Sequence, residues 1–366
     1  MEERLTTLAS LPYSKAEILS SLLEAEGIDC FMEKVDFLQD GVDTGVRIRI
    51  LEKEARQAFP ILEKMLGKEA VDSKKKENYV LVPVDFSAYS VKAALVGFDI
   101  AEKLNSKMVV YHSTPQPEFL TIPYSDVIVY DSALFLNYEM TEKATTKKFE
   151  SFLTELTAQI DYSRWKKAKP EYIVKIGEAD DDILSYIKLH PPKMVVMGIR
   201  GGDARSEDLI GSTTASVIFN TKVPVLAVPE SAGDNWLKNF KTVVYATNFE
   251  AHDFIAMDNL LRLVKPFNCR VICLHVNQGN NHELDEAMLE GMREALCEKY
   301  PDAVFDCQLV HNNNLPEAID QFIQENQIDV LAMTTHRRNL LTRFFNPSVA
   351  RKMVLHSKTP ILVFHA

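Results

Sequence analysis

A chain of 366 residues is long enough for two or three domains with buried cores, and 46% hydrophobic with 25% charged residues is a globular composition, not a disordered or fibrous one. Against 41 basic residues stand 52 acidic ones, and the formal charge of −11 sets up a field that repels nucleic acid and anionic membrane surfaces. No apolar run reaches the ~20 residues of a membrane helix, and the start MEERLTTLAS has no apolar leader core, so a cytoplasmic protein is expected. Five cysteines (Cys30, Cys269, Cys273, Cys297, Cys307) include no C-x2-C pair, which predicts reduced, buried thiols and no metal site.

In chain order, residues 1–68 read as a small α+β unit: a strand at Arg4–Ala9, a helix at Lys15–Glu26, strands at Ile28–Val35 and Val46–Leu51, and a helix at Glu54–Leu66. Ser14 and Glu17 have capping-box spacing, Ile18, Leu19, Leu22 and Leu23 recur at helical intervals, and Gly27 stands at the stop. The segments LLEAEGIDCFMEKVD and GVRIRILEKEARQAFPILEKM resemble the small signal-transducing domains found alone or fused in bacterial proteins, a likeness that names no ligand. The polar KEAVDSKKKEN that follows reads as a linker, with Lys74–Lys76 a solvated run.

From Asn78 short apolar runs alternate with helical stretches: VLVPVD, a helix through Ser90–Leu104, MVVYHS, a helix near Thr141–Thr157, YIVKIG, a helix at Asp181–Leu189, MVVMG, a helix from Ser212, and PVLAVP. Such alternation predicts a parallel, doubly wound sheet. Pro83 cannot donate to a ladder, so it belongs at the carboxyl end of the first strand.

The pattern then recurs. A shift of 163 aligns Val80 with Val243, Asp85 with Asn248, Phe86 with Phe249, Asn105 with Asn268 and His112 with His275. A shift of 136 aligns Ile183 with Ile319, Met197 with Met333 and Ser212 with Ser348, so the first copy carries 27 extra residues, most of them in PQPEFLTIPYSDVIVYDSALFLNYEM. Two copies are expected, residues 78–230 and 239–366, joined by PESAGDNWLKN.

The sharpest motif, Gly198-x2-Gly201-x9-Gly211-Ser212, directly follows MVVMG. Small residues let backbone N–H groups approach phosphate oxygens, and a helix starting near Ser212 points its positive end at an anion, with Ser212, Thr213 and Thr214 adding hydroxyls. The loop supplies mainly neutral donors, and no phosphate-activating lysine is evident. With NYVLVPVDFSAYSVKAAL at one end and MGIRGGDARSEDLIGSTTASVIFNTKVPVLAVP at the other, residues 78–230 resemble the universal stress protein family, and 239–366 resemble a divergent second copy.

That resemblance implies two Rossmann-like, adenine nucleotide alpha hydrolase-like parallel sheets of five strands, order 3-2-1-4-5. It implies a stress-response protein binding ATP (or AMP or ADP), with Mg2+ shielding the phosphates. Carried over by position, Pro83, Val84 and Asp85 border adenine and ribose, Ser113 presents backbone to the adenine edge, and Gly198, Gly201, Gly211, Ser212 and Thr213 hold ribose and phosphates. Asp85 also has a purely structural alternative as a cap for the following helix. The resemblance further implies that the repeats pack as an internal pseudo-dimer through their last strands, and leaves the protein partner unknown.

In the second copy Gly198, Gly201 and Gly211 become Thr334, Arg337 and Pro347, which crowds the phosphate path; residual anion binding through His336, Arg337, Arg338 and Arg343 stays open beside a solvated loop. His112 and His275 read as strand-end histidines bonded to neighbouring backbone, and Asp180–Asp182 as charges at a helix start. No Walker loop and no Ser/His/Asp elbow occurs, so a nucleotide-binding regulator is expected ahead of a slow ATPase or adenylate-using enzyme, or a ligand-free scaffold. No catalytic or metal-binding residue is assigned.

Overall fold

The computed structural model describes residues 5–35, 45–55, 57–58, 60–62, 65, 78–114, 132–201, 210–230, 232, 240–249, 251–279, 282–335 and 359–365. The polar run Lys74–Lys76, residues 202–209 of the glycine motif, most of the linker before the second copy, and His336, Arg337, Arg338, Arg343, Pro347 and Ser348 lie outside them. Two compact units organise the chain, 76–237 and a second comprising 1–75 with 238–366.

The N-terminal segment forms an antiparallel sheet of order β1-β3-β2, from β1 (Leu5–Pro12), β2 (Cys30–Val35) and β3 (Gly45–Leu51), with α1 at Tyr13–Ala25. Val46, Ile48 and Ile50 are buried at the two-residue period of a strand, and Ala16, Leu19 and Leu23 of α1 at the three- and four-residue spacing of a helix. Ser14 lies inside the first turn and not at its cap, because the helix already begins at Tyr13. Ile18 and Leu22 are exposed although they share the helical spacing: a three-stranded sheet is too narrow to cover the whole apolar stripe. Gly27, at φ +76°, ends α1 with its N–H on Glu24 and that of Ile28 on Leu23, a left-handed stop that glycine reaches without steric cost.

The first repeat runs β4 (Tyr79–Pro83), α2 (Ala88–Lys103), β5 (Lys107–Thr114), α3 (Ser132–Gln159), α4 (Tyr162–Ala168), β6 (Glu171–Ile176), α5 (Ala179–Leu189), β7 (Met194–Gly198), α6 (Ser212–Asn220) and β8 (Val225–Val228). Its strands lie parallel in the order β6-β5-β4-β7-β8, which is the expected 3-2-1-4-5. Every residue of β4, β7 and β8 is buried, as strands covered on both faces require. Val91, Ala94, Phe98 and Ala101 face inward from α2 at helical spacing. Pro83 is the last residue of β4, beyond the Leu81–Val195 pair where the ladder to β7 stops.

Two expectations need correction. The helix expected near Thr141–Thr157 spans Ser132–Gln159, so the end of the inserted segment belongs to it. The sequence reading also omits α4, which Asp161 caps through the N–H groups of Ser163 and Arg164. Arg164 ties α4 to Asp99 and Glu102 of α2, and Trp165 stacks on Phe98.

The second repeat runs β9 (Thr242–Thr247), α7 (Ala251–Val264), β10 (Arg270–Asn277), α8 (His282–Lys299), β11 (Phe305–His311), α9 (Leu315–Glu325), β12 (Val330–Thr335) and β13 (Ile361–His365). Its order, β11-β10-β9-β12-β13, is the same 3-2-1-4-5, again parallel. The duplication extends to unusual backbone: Phe86 and Phe249 have φ of 66° and 63°, and Asn105 and Asn268 have 48° and 52°. All five cysteines are free; Cys269 and Cys273 are buried as expected, whereas Cys30, Cys297 and Cys307 are only half-buried.

Candidate functional site

In an open sheet of this order the connections from the first and fourth strands run to opposite sides, which opens a crevice at their carboxyl ends. β4 and β7 are those strands, and a cavity of about 540 Å3 lies there. β4 and the turn after it bring Pro83, Val84, Asp85 and Phe86; β5 brings His112, Ser113 and Thr114; β7 and its loop bring Gly198, Arg200 and Gly201; the start of α6 brings Gly211, Ser212 and Thr213. All nine residues picked from the sequence therefore line one cavity, although 130 positions separate Pro83 from Thr213 in the chain.

The glycines sit where a side chain would crowd its neighbours, most severely at Gly198. A Cβ on Gly198 would come within 2.7 Å of Tyr89 Cβ and 2.9 Å of the Arg200 carbonyl oxygen. One on Gly201 would lie 2.6 Å from Asp85 Oδ2, and one on Gly211 would press on the Gly201 nitrogen at 3.3 Å. The three backbone segments are thus packed edge to edge, held by the bond from Gly211 N–H to the Ile199 carbonyl and by Thr214, whose hydroxyl donates to the Gly198 carbonyl at 2.8 Å. α6 starts at Ser212 with Gly211 as its N-cap and no side-chain cap, which leaves its first N–H groups directed into the cavity region.

Asp85 does serve the following helix. Its Oδ1 accepts from Ser87 N–H at 3.1 Å, from the Ser87 hydroxyl at 2.6 Å and from the Ser90 hydroxyl, while its own N–H donates to Ser90 Oγ. Ser87 is the N-cap proper, accepting from Ser90 N–H. The second carboxylate oxygen, Oδ2, faces Gly201. The Ser113 hydroxyl donates to the Gly177 carbonyl and to Asp182, so this side chain is committed to the turn before α5.

His112 is bonded to neighbouring backbone as expected, its Nδ1 lying 2.8 Å from the Val84 carbonyl oxygen. A carbonyl only accepts, so Nδ1 carries the proton and Nε2 of the neutral ring is an acceptor. Burial pushes the imidazole below its ordinary value despite that carbonyl, and the nearby Lys148 adds to the lowering. Phe86 lies on the ring with centroids 4.1 Å apart, backed by Phe149 and Phe152 of α3. His275 repeats the arrangement: Nδ1 is 2.9 Å from the Thr247 carbonyl oxygen, and Phe249 is 4.3 Å away.

Two cations at the cavity were not anticipated. Lys148 and Thr145, three apart on α3 and therefore on one helix face, both line it, as does Arg200. Most of the lining is neutral, as expected of the loop, but among the described residues Lys148 and Arg200 outnumber the one carboxylate, Asp85. Arg200 lies inside the Gly198-x2-Gly201 motif, whereas for Lys148 the sequence offers the Thr145–Lys148 spacing, which does not say which way α3 turns.

These features define an α/β protein with a ligand-type cleft at the switch point of its first doubly wound sheet. The model of the universal stress protein family matches residues 78–229 and again 239–365, and the chain belongs to that family. Among solved structures it is similar to a universal stress protein from Archaeoglobus fulgidus, with 17% identity and a TM-score of 0.57 over 80% of this chain and 99% of that one. It is also similar to the universal stress protein UspA of Lactobacillus plantarum, with 18% identity and a TM-score of 0.33 over 42% of this chain and 97% of that one. A third, a universal stress protein described in complex with cAMP, has 19% identity and a TM-score of 0.26 over 34% of this chain and 97% of its own. No curated protein matches the chain. Among the described residues no helix is long and apolar enough to cross a membrane.

Proposed function

We propose that the chain is a cytoplasmic, stress-response regulatory protein whose first repeat binds ATP or a related adenine nucleotide. The observation that carries this reading is the meeting, in one cavity, of a glycine-edged backbone cradle, an uncapped helix start, and Lys148 with Arg200. A Cβ at any of the three glycines would intrude on the cradle, which suits a ligand that presses against backbone. In this assignment Pro83, Val84, Asp85 and Ser113 border the base and ribose, and Gly198, Gly201, Gly211, Ser212 and Thr213 hold ribose and phosphates. Lys148 and Arg200 face the terminal phosphates. Bound Mg2+ would be held through phosphate oxygens and water, since among the described residues Asp85 is the one carboxylate lining the cavity and its Oδ1 is engaged.

Residues 1–68, 78–230 and 239–366 act in this reading as three domains. The apolar last strands of the two repeats, Val225–Val228 and Ile361–His365, are taken to meet as an internal pseudo-dimer, supported by their apolar composition and matching positions in the strand order. The test is titration with a non-hydrolysable ATP analogue. One equivalent is expected, abolished by Gly211→Arg, whose side chain fills the phosphate path. Unchanged binding in that variant would overturn the assignment.

A further inference from the structure

The second repeat keeps a cavity at the place corresponding to the first cleft, but among the described residues its lining has the opposite charge. It measures about 300 Å3 and lies at the carboxyl ends of β9 and β10 against α9. Its floor is retained: Ile319 and Met333 stand where the first repeat has Ile183 and Met197, and His275 stands for His112. The polar groups are exchanged. Asn248 replaces Asp85, and Asn277 replaces Thr114.

Thr114 bonds across to Thr145 of α3, with Lys148 one turn further on. Asn277 instead bonds across to Asp285 of α8, whose carboxylate also lies 3.5 Å from His275 Nε2. That carboxylate is largely shielded, its side chain being 15% exposed. No described Lys or Arg lines this cavity, whereas the first cleft has two. A phosphate here would face an anion in a partly desolvated setting, where repulsion is only weakly screened.

We infer that the second repeat binds an uncharged nucleoside-class ligand and rejects the phosphorylated form. A planar ring rests on Ile319 and Met333 beside the imidazole of His275. The Asn277 amide is engaged, its Nδ2 donating to Asp285 and its Oδ1 accepting from Gly279 N–H; Asp285, held in place by it, accepts from an amino or hydroxyl group of the ligand. The choice of a nucleoside ring rests on the reading of the first cleft, because the floor and the imidazole wall are shared; the rejection of phosphate rests on Asp285 alone.

The paired floors provide matched reporters in one molecule. In the full chain labelled with 13C at methionine and isoleucine methyl groups, adenosine is expected to shift the Met333 and Ile319 signals saturably, while ATP leaves them in place. Adenosine failing to move them up to millimolar concentration would overturn the inference, as would ATP moving them as readily as adenosine. Met333→Trp, which fills the floor, is expected to abolish the response of Ile319 to adenosine; a retained response would also overturn it. Failure of the first-cleft reading is a separate signal: Met197 and Ile183 would stay still with ATP while Met333 and Ile319 answer adenosine, which leaves the second site standing.

Discussion

The two repeats share a sheet order and a corner, and they part at the residue that ends the fourth strand. In the first repeat this is Gly198, whose missing side chain lets Tyr89 and the Arg200 carbonyl close in. The aligned position in the second is Thr334, one residue before the end of its strand, buried, with its hydroxyl bonded to that of Tyr245. Tyr245 donates at 2.8 Å to Asp253, which also accepts from the Thr247 hydroxyl at 2.8 Å and from Asn248 N–H at 3.0 Å. The first repeat has Val82 and Ser90 at the positions of Tyr245 and Asp253, so it contains no such network. Space that one copy leaves for backbone approach, the other fills with a satisfied polar cluster. A fold can therefore give up a cradle without losing stability, provided the new groups find partners.

The largest expected effect breaks the second copy. Asp253→Ala removes a buried acceptor of three hydrogen bonds, and bonds to a charged group contribute ~1.5–3 kcal/mol each, though not additively. A loss of roughly 3 kcal/mol or more in denaturant unfolding is expected, with the response of the first cleft to ATP intact; a loss below 1 kcal/mol would show the network to be dispensable. Next comes Gly198→Ala, which brings one feature of the second copy into the first. It collides with backbone as well as with Tyr89, and overpacking of this kind costs about 1–3 kcal/mol. Nucleotide affinity should fall together with stability, and an unaffected variant would mean that the contact is not tight.

Lys148→Glu sharpens the electrostatic contrast. Given a cation facing the terminal phosphates, ATP should bind roughly tenfold more weakly, about 1.4 kcal/mol in binding free energy, and AMP should be less affected. Equal losses for both nucleotides by calorimetry would place Lys148 away from those phosphates. The smallest effect concerns acid. Burial holds the His112 imidazole below the ordinary 6.5, so the unfolded chain takes up this proton before the folded one does. The stability that depends on a neutral His112 is complete above pH 6.5 and is lost as the pH falls from there toward the folded-state value. His112→Gln should therefore show a shallower fall in Tm on acidification than the parent; parallel curves would count against the shift.

How far the sequence reveals this architecture depends on the kind of interaction. A parallel, doubly wound sheet follows from the alternating apolar runs, and its duplication from the 163- and 136-residue offsets. The order 3-2-1-4-5 and the places of Pro83 and Ser113 come instead from the family resemblance, whereas the glycine loop is legible by itself, since ligands of such sheets bind at the carboxyl ends of the strands. Lys148 is not legible, because which face α3 turns to the cleft is set by Phe149 and Phe152 packing against Phe86. The Tyr245–Thr334 bond is hidden for a similar reason: it joins positions 89 residues apart that carry no joint motif. Ile18 and Leu22 fail in the other direction, since periodicity marks an apolar face but not how wide its partner is.

The left-handed phenylalanines at the strand-to-helix corners, Phe86 and Phe249, sit in a conformation that costs a bulky residue about 1–3 kcal/mol. A chain that contains the same element twice is its own two-row alignment, and both rows keep this strained corner with its ring against a histidine. The corner is thus indifferent to what each cavity holds. On the proposed readings, discrimination between ligands would come from elsewhere, namely the segment after the fourth strand and the helix after the second. A hybrid that exchanges those two pieces between the copies would leave the sheets intact and carry ligand preference with the transplanted parts.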